Sequence, residues 1–400
     1  MSNALAQLER DIDARIRSVM GDVIALRRAL HRNPELSWEE HETQATLRTW
    51  LASRDVRTRD LASTGLVADL GVTPRRVLYR ADIDALPIAD RKDPELVSYA
   101  SQRAGVSHAC GHDVHASIGA GLAAVFQGIQ LPEQLALRFA FQPAEEVLPS
   151  GAEQMVREGV LHDVRAALAI HVDPALDAGT VGVRAGVLTA ATDSFDIRII
   201  GQSGHSARAH LAKDALLAMS DVIRALYQIV PTTVDPFEPA VLNLGLAAAG
   251  EARNVIAGEA VVRGVLRCLS EDVRLGLRSS LRRVATDAAR VHGCDVEIAM
   301  AYGAPSVVND ASLCDIVSTC AVALLGADNV KLIRTPSTGA EDFGVFGAHR
   351  PVFMLRVGVR SQNAPIQHLH TSRFDIDERA MEPAMRVMAR ALIQTAMSFA

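Results

Sequence analysis

The sequence predicts an α/β fold in two domains, on three observations. Candidate strands alternate with helices and end in polar residues; near residue 188 the texture changes to elements in the order βαββαβ; beyond residue 303 the first pattern resumes. A chain of 400 residues is also longer than a single hydrophobic core usually grows. The boundaries read as 1–187 and 304–400 for one domain and 188–303 for a ferredoxin-like module inserted into it.

The opening 30 residues carry apolar side chains at helical spacing, Pro34 breaks the pattern, and a second helix is expected to begin near Ser37. "RVLYRADIDALPI" reads as a buried strand with acids at its C-terminal end. The segment from Asp113, "DVHASIGAGLAAVFQGI", is a helix rich in small residues, suited to lying close against a sheet. "QLALRFAFQPAEE" is a strand ending in acids and "VRAALAIHVDP" one ending in a histidine, so polar chemistry gathers along one edge of the sheet. The module follows: "SFDIRIIG" as a strand, "DALLAMSDVIRALYQIV" as a helix, then two strands, a second helix and "DVEIAMAYG" as the last strand.

With 49% hydrophobic and 22% charged residues the composition is that of a soluble globular protein. Forty-seven acidic against 41 basic residues leave a formal charge of −6, and the arginines are scattered, which disfavours nucleic acid binding. Charges every few residues at the N-terminus leave no apolar run for a signal peptide or a membrane span, so a cytoplasmic location is expected. Five cysteines, at 110, 268, 294, 314 and 320, form a sparse set that argues against a disulfide framework. No GxGxxG or GxxxxGK[ST] loop indicates a nucleotide cofactor.

Cys110 alone of these sits among histidines, in "HACGHDVH". Collected from the predicted strand ends and loops, the chemically capable residues are Asp82 and Asp84, Cys110 and His112, Glu145 and Glu146, His171, and His368 and His370. Taken singly, His171 reads as a hydrogen-bonded strand end and Glu145-Glu146 as a solvated turn. Jointly they form the mixture of thiolate, imidazole and carboxylate that a borderline-soft divalent ion accepts, as in a transition-metal hydrolase. Two other readings stand beside this one: Cys110 as a nucleophile with His112 or His115 as base, and a non-catalytic binding or scaffold protein.

"LHRNPELSWEEHET", "YRADIDALPI", "HACGHDVHAS", "FQPAEE", "IHVDP", "GQSGHSARAH", "TGAEDFG" and "LHTSRFDIDE" resemble, in order, the motifs of the M20 metallopeptidase family. They are most similar to its amidohydrolase branch of aminoacylases, hippurate hydrolases and auxin-conjugate hydrolases, from about residue 25 to 380. The resemblance implies a metal-dependent hydrolase whose catalytic domain has a mixed central sheet flanked by helices, with the inserted module as a lid and dimerisation domain. It implies one or two divalent transition-metal ions (Zn, Mn, Co or Ni) held by Cys110, His112, Glu146, His171 and His370. Asp82 stands where other branches place a ligand histidine; Asp84 keeps the family's aspartate and is expected, with Asp82, to support the ligands. His108 and His115 then become structural or supporting residues, and the alignment of "HTS" favours His370 over His368.

Glu145 matches the family's general base: a bound divalent ion lowers the pKa of its water towards ~7, and a carboxylate within reach takes the proton. His205 in "GQSGHSARAH" matches a histidine that stabilises the oxyanion in the neighbouring subunit, which implies a homodimer, although Ala209 stands where a proline is common. Asn254 in "RNVIAG" resembles a segment near the substrate, with Ala257 replacing its proline, and Gly339, Glu341 and Asp342 lie in a loop that lines the substrate pocket in the family. The implied substrate is a small N-acyl or N-aroyl amino acid, with no nucleic acid or membrane partner. Dipeptidase, aminobenzoyl-glutamate hydrolase and aryl-amine deaminase activities would use the same metal water, and pocket shape decides among them.

Overall fold

The computed structural model describes residues 3–93 and 97–398. The chain divides into two compact units, one of residues 1–186, 308–335 and 345–400, the other of residues 187–307 and 336–344.

The first unit is built on a mixed sheet. Its strands are β1 (Thr58–Leu61), β2 (Gly65–Leu70), β3 (Arg76–Asp82), β4 (Ala136–Gln142), β5 (Val164–Asp177) and a later strand, Val352–Arg360. They lie in the order β1-β2-β4-β3-β5 followed by Val352–Arg360. β3 pairs in parallel with β4 and β5, and Val352–Arg360 in parallel with β5, whereas β1 and β2 add an antiparallel edge. The central strands are mostly apolar, and β4 is buried at every residue, as expected of strands covered on both faces.

Helices α1 (Asn3–Arg32), α2 (His41–Ala52), α3 (His112–Gln127) and the C-terminal helix Met381–Ser398 cover the sheet. α1 buries Ile12, Ile16, Val23, Leu26 and Leu30, the single apolar stripe its spacing predicts. α3 is buried from His112 to Phe126, and its small residues explain how: a Cβ on Gly119 would lie 2.9 Å from the Tyr79 ring. Gly111, which precedes α3, has φ 83°, and a Cβ there would meet Val172 at 2.5 Å, so both its conformation and its contact exclude a side chain.

Several element boundaries differ from the sequence reading. The strand beginning at Arg76 ends at Asp82 rather than continuing to Ile88, which places Asp82 at its last position and Asp84 just beyond. α2 starts at His41, not near Ser37, because Ser37 and Trp38 form a turn, Trp38 with φ 68°. The Ser37 hydroxyl that could have capped a helix donates instead to Asp84 at 2.7 Å.

The second unit contains strands Ala191–Ile200, Ala240–Ala249, Glu259–Cys268 and Asp295–Tyr302 and helices Ala215–Thr233 and Glu271–Arg290, a βαββαβ order along the chain. Its sheet is antiparallel, with Ala240–Ala249 at one edge and Asp295–Tyr302 at the other. Phe195, Ile197, Ile199 and Val262 form a core with Val222, Leu226, Leu277 and Leu281 of the two helices. Alternate strand positions carry ion pairs, Arg198 with Glu259 and Glu297, and Arg263 with Asp196. Buried Asp193 accepts from both Arg274 and Arg278, fixing the second helix to the first strand.

Candidate metal centre

The first unit brings the dispersed thiol, imidazoles and carboxylates together at the C-terminal ends of its parallel strands and at the start of α3. Cys110, His112 and His171 have ligand atoms all within 4.8 Å of one another, and so do Cys110, Glu146 and His370. The two triads share Cys110. His370 Nε2 lies 3.3 Å from Cys110 Sγ and 3.3 Å from Glu146 Oε1, and His171 Nε2 lies 3.6 Å from the same sulfur. His370 is itself left-handed (φ 59°) and donates its backbone N–H to Ala109 O at 2.8 Å, tying its loop to the residue before Cys110. His368 is exposed, and its carbonyl accepts from Thr371 Oγ1.

The rings of His112 and His171 are each oriented by the nitrogen facing away from the cluster. His112 Nδ1 donates to the Asp84 carbonyl oxygen at 2.9 Å and lies 3.1 Å from Asp84 Oδ1, turning Nε2 into the cluster. His171 Nδ1 donates to the Val172 carbonyl at 2.8 Å, which leaves Nε2 with a lone pair towards Cys110. Asp84 thus directs one imidazole; its Oδ2 also accepts from the Glu146 backbone N–H at 3.1 Å. Asp82 is gripped by Arg80 at 2.5 Å and by His115 Nδ1 at 2.6 Å. His115 Nε2 accepts from the Val172 N–H at 3.0 Å, which fixes the proton on Nδ1 and makes His115 a brace between Asp82 and the strand bearing His171. Glu145 groups with His112 and Glu146, its Oε2 being 4.0 Å from His112 Nε2.

The polar balance suits a cation. His112 Nε2 and Glu146 Oε1 are buried without a hydrogen-bond partner, the condition a bound ion would relieve. Burial opposes charge on His112, but Asp82 and its bond to Asp84 raise its pKa well above the usual imidazole range, so these surroundings attract positive charge. Burial pushes the Cys110 thiol up to about 12; coordination is the ordinary way to deprotonate such a group. Burial, with Arg356 nearby, holds His171 well below the imidazole range, the neutral state that ligates. His108 is buried too, and burial lowers it to about 3.

The second unit holds the remaining residues singled out from the sequence. His205 pairs with Val255 in a two-stranded ribbon, and the Asn254 carbonyl accepts from the Ser206 N–H at 3.2 Å, so residues fifty positions apart become neighbours on one exposed turn. The exposed Gly339 accepts at its carbonyl from the Ala190 N–H. Glu341 and Asp342 are buried.

His115 braces the cluster as a supporting residue, whereas Ser37 and Glu40 support it without having been singled out from the sequence. For Ser37 and Glu40 the one available signal was their capping-box spacing in "LSWEEHET", a pattern that no helix uses because α2 starts only at His41.

Residues 78–394 match the family model described as peptidase family M20/M25/M40. The chain is 38% identical over 304 residues to an N-acyl-L-amino acid amidohydrolase of Geobacillus stearothermophilus, covering 75% of this chain and 81% of the relative. It is 33% identical over 375 residues to an N-acetylcysteine deacetylase of Bacillus subtilis, covering 93% and 96%. Among solved structures, a Bacillus subtilis protein described as a dinuclear metal binding peptidase of the M20 family superimposes with a TM-score of 0.80 at 29% identity, over 95% of this chain and 99% of that one. With the family match running through both units and the relatives aligned along most of their length, the chain belongs to peptidase family M20/M25/M40.

Proposed function

We propose that the protein is a metal-dependent amidohydrolase that cleaves the amide bond of an N-acyl or N-aroyl amino acid into a carboxylic acid and an amino acid. The observation that carries this reading is the pair of triads meeting at Cys110 with Glu145 beside them. Cys110, His112 and His171 would hold one ion, and Cys110, Glu146 and His370 a second. A bound divalent ion supplies Lewis acidity to water and to the scissile carbonyl. Glu145 accepts the proton of the attacking water, and the water oxygen adds to the carbonyl carbon. The C–N bond then breaks with its electron pair on nitrogen, and Glu145 returns the proton to that nitrogen. The same carboxylate is base first and acid second.

His205 is assigned to the oxyanion of a neighbouring subunit. Its Nδ1 accepts from the Ala207 N–H at 3.0 Å, so the neutral ring carries its proton on Nε2, a donor on an exposed side chain. The homodimer this requires is supported by the open edge strand Ala240–Ala249, which exposes Val241 and Leu246, while the helix packed against it exposes Leu216, Leu217 and Tyr227. Asn254 and Gly339 are assigned to the substrate. A cytoplasmic location belongs to the same reading: all five cysteines are free, and among the described residues no helix is long and apolar enough to cross a membrane.

The burial that raises the Cys110 thiol disfavours the nucleophilic-cysteine alternative, since reactive cysteines have lowered pKa values. Asp84→Asn is expected to weaken metal affinity about 10- to 100-fold, because it removes the charge that orients His112; competition against a chelator measures it. The reading as a whole is tested by a hydrolysis screen of the metal-reconstituted protein. N-acetyl, N-benzoyl and indole-acetyl amino acids should be cleaved in preference to dipeptides, aminobenzoyl-glutamate and aryl amines. Preference for any of the latter would replace the substrate class, and no hydrolysis at all would overturn the activity.

A further inference from the structure

The motif "LSWEE" has no place in the chemistry above, yet its side chains lie against the loop that carries it. Ala144, immediately before Glu145, is buried with φ 48°. A left-handed alanine is a strained conformation that persists only where its surroundings hold it. Its N–H donates to Glu40 Oε1 at 2.8 Å, and its carbonyl accepts from the Gly151 N–H at 2.9 Å. A Cβ on Gly151 would stand 1.7 Å from Pro143 O, so this closure admits glycine alone. On the other side of Glu145, the Glu146 N–H donates to Asp84 Oδ2, the oxygen that also accepts from Ser37. The two backbone amides flanking Glu145 are therefore each held by a fully buried carboxylate.

Glu40 occupies the N-cap position of α2, yet its side chain makes no capping bond to that helix. Its second oxygen accepts from Thr64 Oγ1 at 2.5 Å, which fixes the rotamer that reaches Ala144. A carboxylate serving only its own helix would turn to the first-turn amides. We infer that Glu40 is a positioning residue for Glu145: through the Ala144 amide it sets the left-handed turn that aims the next side chain at His112 Nε2. This rests on the reading of Glu145 as the base.

Glu40→Ala is expected to lower kcat about 10²-fold, the loss associated with misplacing a catalytic group by about 1 Å, with KM and metal content unchanged. Glu40→Gln keeps an oxygen for the Ala144 N–H and can donate its NH₂ to the Thr64 oxygen, so it should restore kcat to within a few-fold of wild type. Hydrogen exchange at the Ala144 amide should accelerate in Glu40→Ala and not in Glu40→Gln. In a Glu145→Gln background Glu40→Ala should add nothing to the residual loss, because the group it positions is gone. The inference is overturned if Glu40→Gln is as impaired as Glu40→Ala. It is equally overturned if activity falls only in proportion to lost metal or folded protein, or if the two losses multiply in the double variant. Full turnover in Glu145→Gln alone would remove the base assignment and this inference with it, whereas the other outcomes remove the role of Glu40 and leave that assignment standing.

Discussion

Glu145→Gln is expected to keep its metal and fold and to lose turnover by up to about 10⁴-fold, the upper end for general acid–base catalysis. The upper end applies because in the proposed mechanism one carboxylate serves both proton transfers, from the water and to the leaving nitrogen, so its removal would disable two steps. Glutamine is nearly isosteric and keeps the loop's backbone bonds to Glu40 and Asp84, so the comparison isolates the proton acceptor. Metal analysis and steady-state kinetics on one preparation check it. Retained turnover would show that another group accepts the proton.

His205→Ala is expected to cut kcat by about 10²- to 10³-fold, the usual effect of removing one oxyanion donor. The side chain is exposed and its ring accepts a single backbone N–H, so alanine should hardly alter stability. Action across a dimer makes a sharper prediction. Mixing Glu145→Gln with His205→Ala subunits gives hybrids in which the His205→Ala subunit keeps its own Glu145 and receives His205 from its companion. One intact site per hybrid should then restore activity that neither parent has. If His205 acts within its own chain, mixing restores none.

The α/β class and the mixed sheet were legible because β3, β4 and β5 are mostly apolar segments, the first two separated by a helix of small residues, each with polar residues near or beyond its end. That placement made Asp82, Asp84, Glu145, Glu146 and His171 noticeable one by one. The spacing of Cys110 and His112 was noticeable for a different reason: three histidines within eight residues are rare without a task. What could not be read was the through-space wiring. Asp84 reaches His112, Ser37 and the Glu146 amide, and Glu40 reaches Ala144 across 104 residues, contacts that leave no periodicity or local spacing in the chain. The start of α2 was misplaced for the same cause: Ser37 looks like a cap by its residue type, and only the folded chain reveals that its hydroxyl is engaged by Asp84. The tautomer of His115 likewise depends on the Val172 amide, 57 residues away.

A single spectroscopic measurement tests the ligand set most directly. The metal-free protein is titrated with Co²⁺ while the near-ultraviolet thiolate-to-cobalt charge-transfer band is followed. With Cys110 shared by both triads, the band should grow with binding, saturate at one or two ions per chain and vanish in Cys110→Ala, the other four cysteines contributing nothing. Tight binding with no thiolate band, or the same band in Cys110→Ala, would contradict the proposed centre.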